Sequence, residues 1–397
     1  MKKLLVLAAG ILQVPVIKRA KDMGYYVIAA DGNPNAIGLQ YADKPVVVNI
    51  TSEEEVLHIA REEQIDGVIH PCSEVAMNVM GMLNDELSLS GISKDAAFRA
   101  TNKHLMRRAF ETFGAPSPKS FCFDDAESAW NCFGNELPND AILKPSRNSV
   151  SRGIAKIEKG ISKENFAELF ERSKAESRDK TVMLEQFIEG PEFSVEIIVW
   201  DGIINVLTVT DKATTGAPYF VELGHNQPSI YSSEMVEEIK EAAVFGVKAL
   251  EVNNCACHAE VKVQDGKAYI MEIGARLGGD FISTELTHLS TGVDMVAAAI
   301  NCALGIAPCL EPIAPKQGVC IRYFCPTPGK LVSISNTELL NDEHVYLWKI
   351  YYKEGDIIPE VTSSLCRSGH LIVTEETPQK AIELAEKYIK EVVFLTE

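Results

Sequence analysis

A chain of 397 residues, 46% hydrophobic and 24% charged, has the composition of a globular protein with room for two or three domains. Its formal charge of −18 argues against a nucleic-acid surface, and no apolar run approaches the ~20 residues of a membrane span. Ten cysteines are scattered without paired spacing, and no basic or apolar leader precedes Lys2-Lys3-Leu4, as expected of a reduced cytoplasmic protein.

Residues 3–8 (KLLVLA) form a continuous apolar run that reads as a buried parallel strand. A helix over 13–23, strands Tyr25–Ala30 and Pro45–Val48, a helix near 53–62 and a strand Asp66–His70 continue the alternation. That order predicts a doubly wound α/β domain over residues 1–95, with ligands at the carboxyl ends of its strands. The first strand–helix turn, Ala8-Ala9-Gly10-Ile11, lacks G-x-G-x-x-G, so a dinucleotide reading is weak. Two strand tips carry polar groups, Asp31-Gly32-Asn33 and His70-Pro71-Cys72-Ser73-Glu74. Glu74 is a candidate substrate contact, and Ser73 an equally good helix N-cap.

From Ser93 to Phe113 the pattern turns helical, with Thr101-Asn102-Lys103 opening the second helix and Gly114-Ala-Pro-Ser-Pro118 breaking it. An α+β segment follows: strand 120–123, helix 124–133, strand Ala141–Lys144, strand 153–158, helix 162–173 and strand Thr181–Gln186. Between Lys144 and the next strand, Ser146 to Gly153 holds small hydroxylated residues, two arginines and a glycine. This is a donor-rich hairpin tip suited to closing over phosphates, although it lacks the spacing of a P-loop. The stretch Met183–Glu196 reads as a crossing between two sheets, where freed backbone groups can bond an adenine edge and Glu192 can accept from ribose hydroxyls. Strands 193–200 and 203–210 form a hairpin around Asp201-Gly202, and a long loop over 211–231 carries Gly216-Ala-Pro218 and Leu223-Gly-His225.

After a helix over 233–250, the stretch HAEVKVQDGKAYIMEIGARLGGD from His258 to Asp280 reads as two strands and a tight turn. A three-residue loop, Gln264-Asp265-Gly266, would put His258, Glu260, Lys262 and Glu272 on one face and Ala259, Val261, Val263, Tyr269, Met271 and Ile273 on the other. A two-residue loop would send the two glutamates to opposite faces, so the three-residue loop is the expectation. Glu260 and Glu272 then lie diagonally across the pair, roughly 7–8 Å apart at the backbone, in reach of one Mg²⁺ beside nucleotide phosphates. Arg276 and Gly278-Gly279, where a backbone can approach a ligand, follow at once. Cys255-Ala-Cys257-His258 departs from zinc-site spacing. Helices at 280–289 and 292–304 lead to a composition reset between Pro308 and Pro315. Beyond it, strands at 319–325, 329–333, 345–352 and 370–374 and a helix started by Thr377-Pro378 form a small α+β cap with no visible catalytic constellation.

Taken in order, Thr-Asn-Lys103, Lys144-Pro with its Ser/Arg/Gly loop, Glu185-Gln-Phe-Ile-Glu-Gly-x-Glu192 and Glu260…Glu272-Ile-Gly-Ala-Arg276-x-Gly-Gly resemble the ATP-grasp superfamily of carboxylate–amine ligases. The stretches FVELGHNQPS (220–229) and HAEVKV…MEIGARLGGD look most like its L-amino-acid ligase branch. The resemblance implies a pre-ATP-grasp domain over 1–95, a two-lobed ATP-grasp domain over 96–310 with a lid lobe at about 118–187, and a C-terminal α+β domain over 311–397. It implies ATP contacts at Lys103, Lys144, Ser151, Arg152, Gly153, Glu185, Gln186, Ile188 and Glu192, and Mg²⁺ or Mn²⁺ at Glu260 and Glu272. Arg276 would be the catalytic arginine that holds the reacting carboxylate and acyl phosphate, and Glu74, His225, Gly278 and Gly279 would face the substrates. The partners implied are small carboxylate and amine molecules, and a homodimer is common among relatives. Two departures stand out: Gly274 where many relatives carry Asn, which removes an oxygen ligand for a second ion, and a first glycine-rich turn reduced to Ala-Ala-Gly10. A purine-pathway or biotin-carboxylase-like ligase, and a nucleotide-binding sensor without chemistry, stay open as alternatives.

Overall fold

The computed structural model of the protein describes residues 1–137, 139–147, 153–217 and 219–397. Strands β1 (Lys3–Leu7), β2 (Tyr26–Asp31), β3 (Lys44–Val47) and β4 (Gly67–Ile69) form a parallel sheet in the order β3-β2-β1-β4. Helices α1 (Val14–Asp22), α2 (Glu53–Glu63) and α3 (Met77–Leu87) connect and cover it. The runs Leu4–Leu7 and Val27–Ala30 are fully buried, as strands sandwiched between helices must be. The Asp31 tip is structural: its carboxylate accepts from the Ala9 amide at 2.7 Å and the Asn33 amide at 2.8 Å, bracing the first turn. Ser73 does not cap α3. His70 Nε2 accepts from the Ala76 amide at 3.2 Å instead, just before that helix begins.

Helices α4 (Lys94–Ala100) and α5 (Lys103–Phe113) are capped by Ser93 and Asn102, whose side chains accept amides three residues on. The Asn102 cap fixes Lys103 at the first helical position. The segment β5 (Ser120–Phe123), α6 (Ala126–Glu136), β6 (Ala141–Pro145), β7 (Ala155–Ile157), α7 (Lys163–Glu176) and β8 (Val182–Gln186) closes an antiparallel sheet in the order β5-β8-β6-β7. Phe133, Phe166 and Phe170 fill the space between its helices and strands.

The largest sheet has eight strands. In chain order they are β9 (Glu192–Trp200), β10 (Ile203–Thr214), β11 (Glu222–Gln227), β12 (Cys255–Gln264), β13 (Lys267–Gly274), β14 (Gly318–Phe324), β16 (Val345–Ile350) and β18 (Gly369–Glu375), with β15 (Gly329–Ser335), β17 (Ile357–Ile358) and β19 (Val393–Thr396) making a separate three-stranded sheet. The spatial order β13-β12-β9-β10-β11-β14-β18-β16 corrects two expectations. About half of the loop expected over 211–231 is strand, because β10 continues to Thr214 and β11 occupies Glu222–Gln227. Polar residues such as Asp211, Lys212 and His225 look like loop in sequence, yet all three are buried among partners. The C-terminal cap is likewise not a separate sheet, since β14, β18 and β16 extend the central one through β11–β14 pairing. Helices α8 (Ser233–Ala249), α9 (Thr287–Thr291), α10 (Met295–Ala303) and α11 (Pro378–Glu391) complete the fold, with Thr377 capping α11 as expected. Among the described residues no helix is long and apolar enough to cross a membrane.

Candidate active site

The β12–β13 hairpin turns on Asp265 (φ 52°) and Gly266 (φ 75°), a two-residue loop with both residues left-handed. The three-residue loop expected from the sequence is not formed. By itself this turn would send the glutamates to opposite faces. The pairing shifts between Glu260 and Val261, however, with Met271 as the extra residue, so that Glu260 stands directly opposite Glu272. A bulge, not loop length, brings the carboxylates to one face. It also moves two residues expected in the core: Val261, Val263, Ala268, Ile270 and Ile273 are buried, whereas Tyr269 is half-buried beside Lys262 and Met271 lines a cavity.

That cavity encloses about 400 Å³, within the range of small-molecule sites. Its apolar lining comes from Ile142, Ile154, Phe187, Ile188 and Met271. Its charged lining gathers Glu74, Lys103, Glu260, Glu272 and Arg276, with Lys144 on β6 and Glu192, Lys212 and Glu222 on β9, β10 and β11. Six separate stretches of the chain therefore wall one space.

The charges form defined pairs. Lys103 Nζ lies 2.8 Å from Glu272 Oε1, and Arg276 Nη2 lies 3.1 Å from Glu74 Oε1. Lys144 Nζ lies 2.6 Å from Glu185 Oε2, while Arg107 Nε lies 2.9 Å from Glu185 Oε1. Arg107 also donates to the Ile270 and Met271 carbonyls at 3.1 and 2.7 Å, tying this buried triad to the bulge. Burial alone would raise the Glu185 carboxyl, but Arg107 and Lys144 outweigh it and hold it at about 2. Lys144 is pushed down to about 8, chiefly by burial and despite Glu185. Glu74 is raised by burial and by the nearby Glu272 carboxylate, against the pull of Arg276. Glu260 is held well below its ordinary range, first by Lys212. Gly274 lets the Arg276 side chain lie across the strand: a Cβ there would stand 3.2 Å from the guanidinium carbon.

Of the residues singled out from the sequence, Glu74, Lys103, Lys144, Gln186, Ile188, Glu192, Glu260, Glu272 and Arg276 line the cavity. Glu185 does not. Its side chain is fully buried and paired with Lys144 from behind. His225 is buried against Asp280, 3.4 Å away, and edge-on to the Tyr323 ring, outside the cavity lining. Gly278 is packed under His258, whose Nδ1 would lie 2.6 Å from a Cβ, and its amide donates to Ser283. Neither Gly278 nor Gly279 lines the cavity. Gly153 has φ 76° and sits tightly against Pro145 and Glu176, a position only glycine fills without strain. Ser151 and Arg152 lie outside the described residues. His258 Nδ1 bonds the buried Glu196, which outweighs burial and raises its pKa to about 9; its Nε2 lies 3.8 Å from Glu260 Oε1, and the ring lines the cavity.

Arg107, Lys212, Glu222 and Arg367 escaped the sequence reading. Arg107 carried a weak signal, a charge on the buried side of the helix opened by Lys103; the other three sit in stretches that read as loop. Arg367 makes a bidentate pair with Asp280 at 2.7 and 2.8 Å and stacks over Tyr323, 3.6 Å from its ring centre. Opposed carboxylates on neighbouring strands are hard oxygen donors suited to Mg²⁺ or Mn²⁺. Among the described residues no group of three or more His, Cys, Asp or Glu is placed to hold an ion. The donor set therefore fits an ion whose remaining ligands come from phosphate and water.

A model of the ATP-grasp domain matches residues 137–285, and one of the L-amino acid ligase C-terminal domain 2 matches residues 322–397. The chain is 27% identical over 319 residues to the alanine–anticapsin ligase of Bacillus subtilis, covering 74% of this chain and 65% of that protein. It is 23% identical over 363 residues to human carnosine synthase 1, covering 85% of this chain and 44% of that protein. The chain thus spans less than two thirds of these relatives. The L-amino acid ligase structure from Bacillus licheniformis superposes with a TM-score of 0.83 at 20% identity, over 100% of this chain and 99% of that one. The chain therefore carries an ATP-grasp domain followed by the C-terminal domain 2 of L-amino acid ligases.

Proposed function

We propose that this protein joins a carboxylate to an amine with ATP, through an acyl phosphate, and releases ADP and phosphate. The observation that carries the reading is the charged lining of the cavity: two facing carboxylates, Glu260 and Glu272, meet Lys103 and Arg276, with Lys144 in the same lining. Phosphoryl transfer spreads negative charge over oxygens, so the protein's contribution is position and positive charge. Lys103 and Lys144 are the cations for the triphosphate. The apolar lining that includes Ile142 and Ile188 suits a purine, and Glu192 in the same cavity suits ribose hydroxyls. A divalent ion held by Glu260 and Glu272 would neutralise phosphate charge during transfer.

Arg276 and Glu74 suggest the substrate class. A guanidinium and a carboxylate 3.1 Å apart present the two charges complementary to an α-amino acid. Arg276 would take the carboxylate as it becomes an acyl phosphate, and Glu74 the α-ammonium. The relative named alanine–anticapsin ligase supports an amino acid as one of the two substrates. A phosphate-release screen of amino-acid pairs with Mg-ATP tests the reading. The expected result is ADP and phosphate release that requires both a carboxylate and an amine. AMP and pyrophosphate as products would overturn it.

A further inference from the structure

Lys212 has no part in the reading above, yet it is the most heavily engaged cation of the cavity. It lies midway between the ribose-side and ion-side acids, only 4% exposed, on β10. Its Nζ is 2.6 Å from Glu192 Oε1, 3.1 Å from Glu260 Oε1 and 4.0 Å from Glu222 Oε1. One ammonium thus serves three carboxylates on three strands, in full contact with two of them. The third is held ready: Glu222 Oε2 accepts from Ser364 Oγ at 2.7 Å, which leaves Oε1 directed at the lysine.

The same arrangement closes the ion site. Glu260 is neutralised by Lys212 and Glu272 by Lys103. An ion arriving alone must displace both ammoniums. A triphosphate offers Lys103 another anion, whereas Lys212 keeps Glu192 and must turn the N–H it gave Glu260 onto another acceptor, because an unsatisfied buried donor is costly. Glu222 supplies it about an ångström beyond contact.

We propose that Lys212 is a movable counter-ion, bonded to Glu260 when the ion is absent and shifted onto Glu222 when an ion takes Glu260. This rests on the reading that Glu260 and Glu272 ligate the ion. It makes ion binding weak without nucleotide and couples the two bindings reciprocally.

Mn²⁺ uptake by the full chain, followed by the electron-spin resonance of the free ion with and without ADP, tests it. Wild type should bind Mn²⁺ about tenfold or more tightly with ADP than without. Lys212→Met should bind Mn²⁺ without ADP about tenfold more tightly than wild type, and Lys212→Arg should behave as wild type. Glu222→Gln should weaken Mn²⁺ binding with ADP, and this effect should vanish in the Lys212→Met background, since Glu222 acts through the lysine. Should Lys212→Met fail to fold, Lys212→Gln carries the same expectation. Unchanged nucleotide-free affinity in the lysine variant, or a Glu222→Gln effect equal in both backgrounds, overturns the switch while leaving the ligase reading intact. Wild type taking up no Mn²⁺ even with ADP overturns the ligase reading itself.

Discussion

Glu185→Gln should weaken nucleotide binding although Glu185 does not reach the cavity. In the wild type Lys144 sits at about 8, so at pH 7 it is about nine-tenths protonated. Its partner carboxylate is 2.6 Å away at the nearer oxygen. With the carboxylate charge spread over two oxygens, a separation near 4 Å and an effective dielectric of about 20 give about 4 kcal/mol of attraction, or about three pKa units. Without it, and with Arg107 still adjacent, Lys144 should titrate near 5, leaving roughly one molecule in a hundred charged at pH 7. If the triphosphate binds only the charged lysine, affinity at pH 7 falls about a hundredfold, and the deficit shrinks about tenfold per unit as pH is lowered toward 5. Calorimetric titration of ADP into both proteins between pH 5.5 and 8, with proton uptake measured in two buffers, reads this directly. A variant that binds ADP as the wild type does at pH 7, or whose deficit does not change with pH, refutes the claim that Glu185 keeps the lysine charged.

The wild type itself should lose ADP affinity as pH rises through about 8, because free Lys144 deprotonates there while the bound lysine stays charged; pH-dependent ADP titration checks the sign. Glu260→Gln and Glu272→Gln should each lower ATP-dependent phosphate release by about 10²–10³-fold or more while leaving the melting temperature within a few degrees. Arg276→Lys keeps the charge but loses the planar fork, and turnover measured as phosphate release should fall by about 10²-fold with ADP affinity unchanged. Arg367→Ala leaves Asp280 facing His225 without its bidentate partner, and urea denaturation should show a loss of about 3 kcal/mol.

The elements of the doubly wound sheet and of the β5–β8 segment were legible because apolar runs, capping residues and turn signals agreed there. Asn102, Ser93 and Thr377 cap the helices they announce. The pairing of Glu260 with Glu272 was reached by a wrong turn: polar–apolar separation correctly required both on one face, but the extra residue sits at Met271 and not in the loop. Sequence constrains the count of residues in a hairpin more firmly than where the surplus is absorbed. Lys212, Glu222 and Arg367 were invisible for a different reason. Lys212 and Glu222 are polar strand residues that read as loop, Arg367 does lie in a loop before β18, and the partners of all three come from residues tens of positions away. Glu185 lay in a recognisable motif, yet which way its side chain pointed depended on Arg107, from another helix.

The unbroken run of strands from the glutamate hairpin to β16 bears on how such enzymes are recombined. A chimaera cut near residue 311 would ask a foreign segment to reproduce the registry of Gly224–Gln227 with Val319–Arg322, the Ser364 hydroxyl on Glu222 and the Arg367 fork on Asp280. The exchangeable module therefore begins no later than Glu222 and includes Asp280, and transplants that respect that seam are the ones to build.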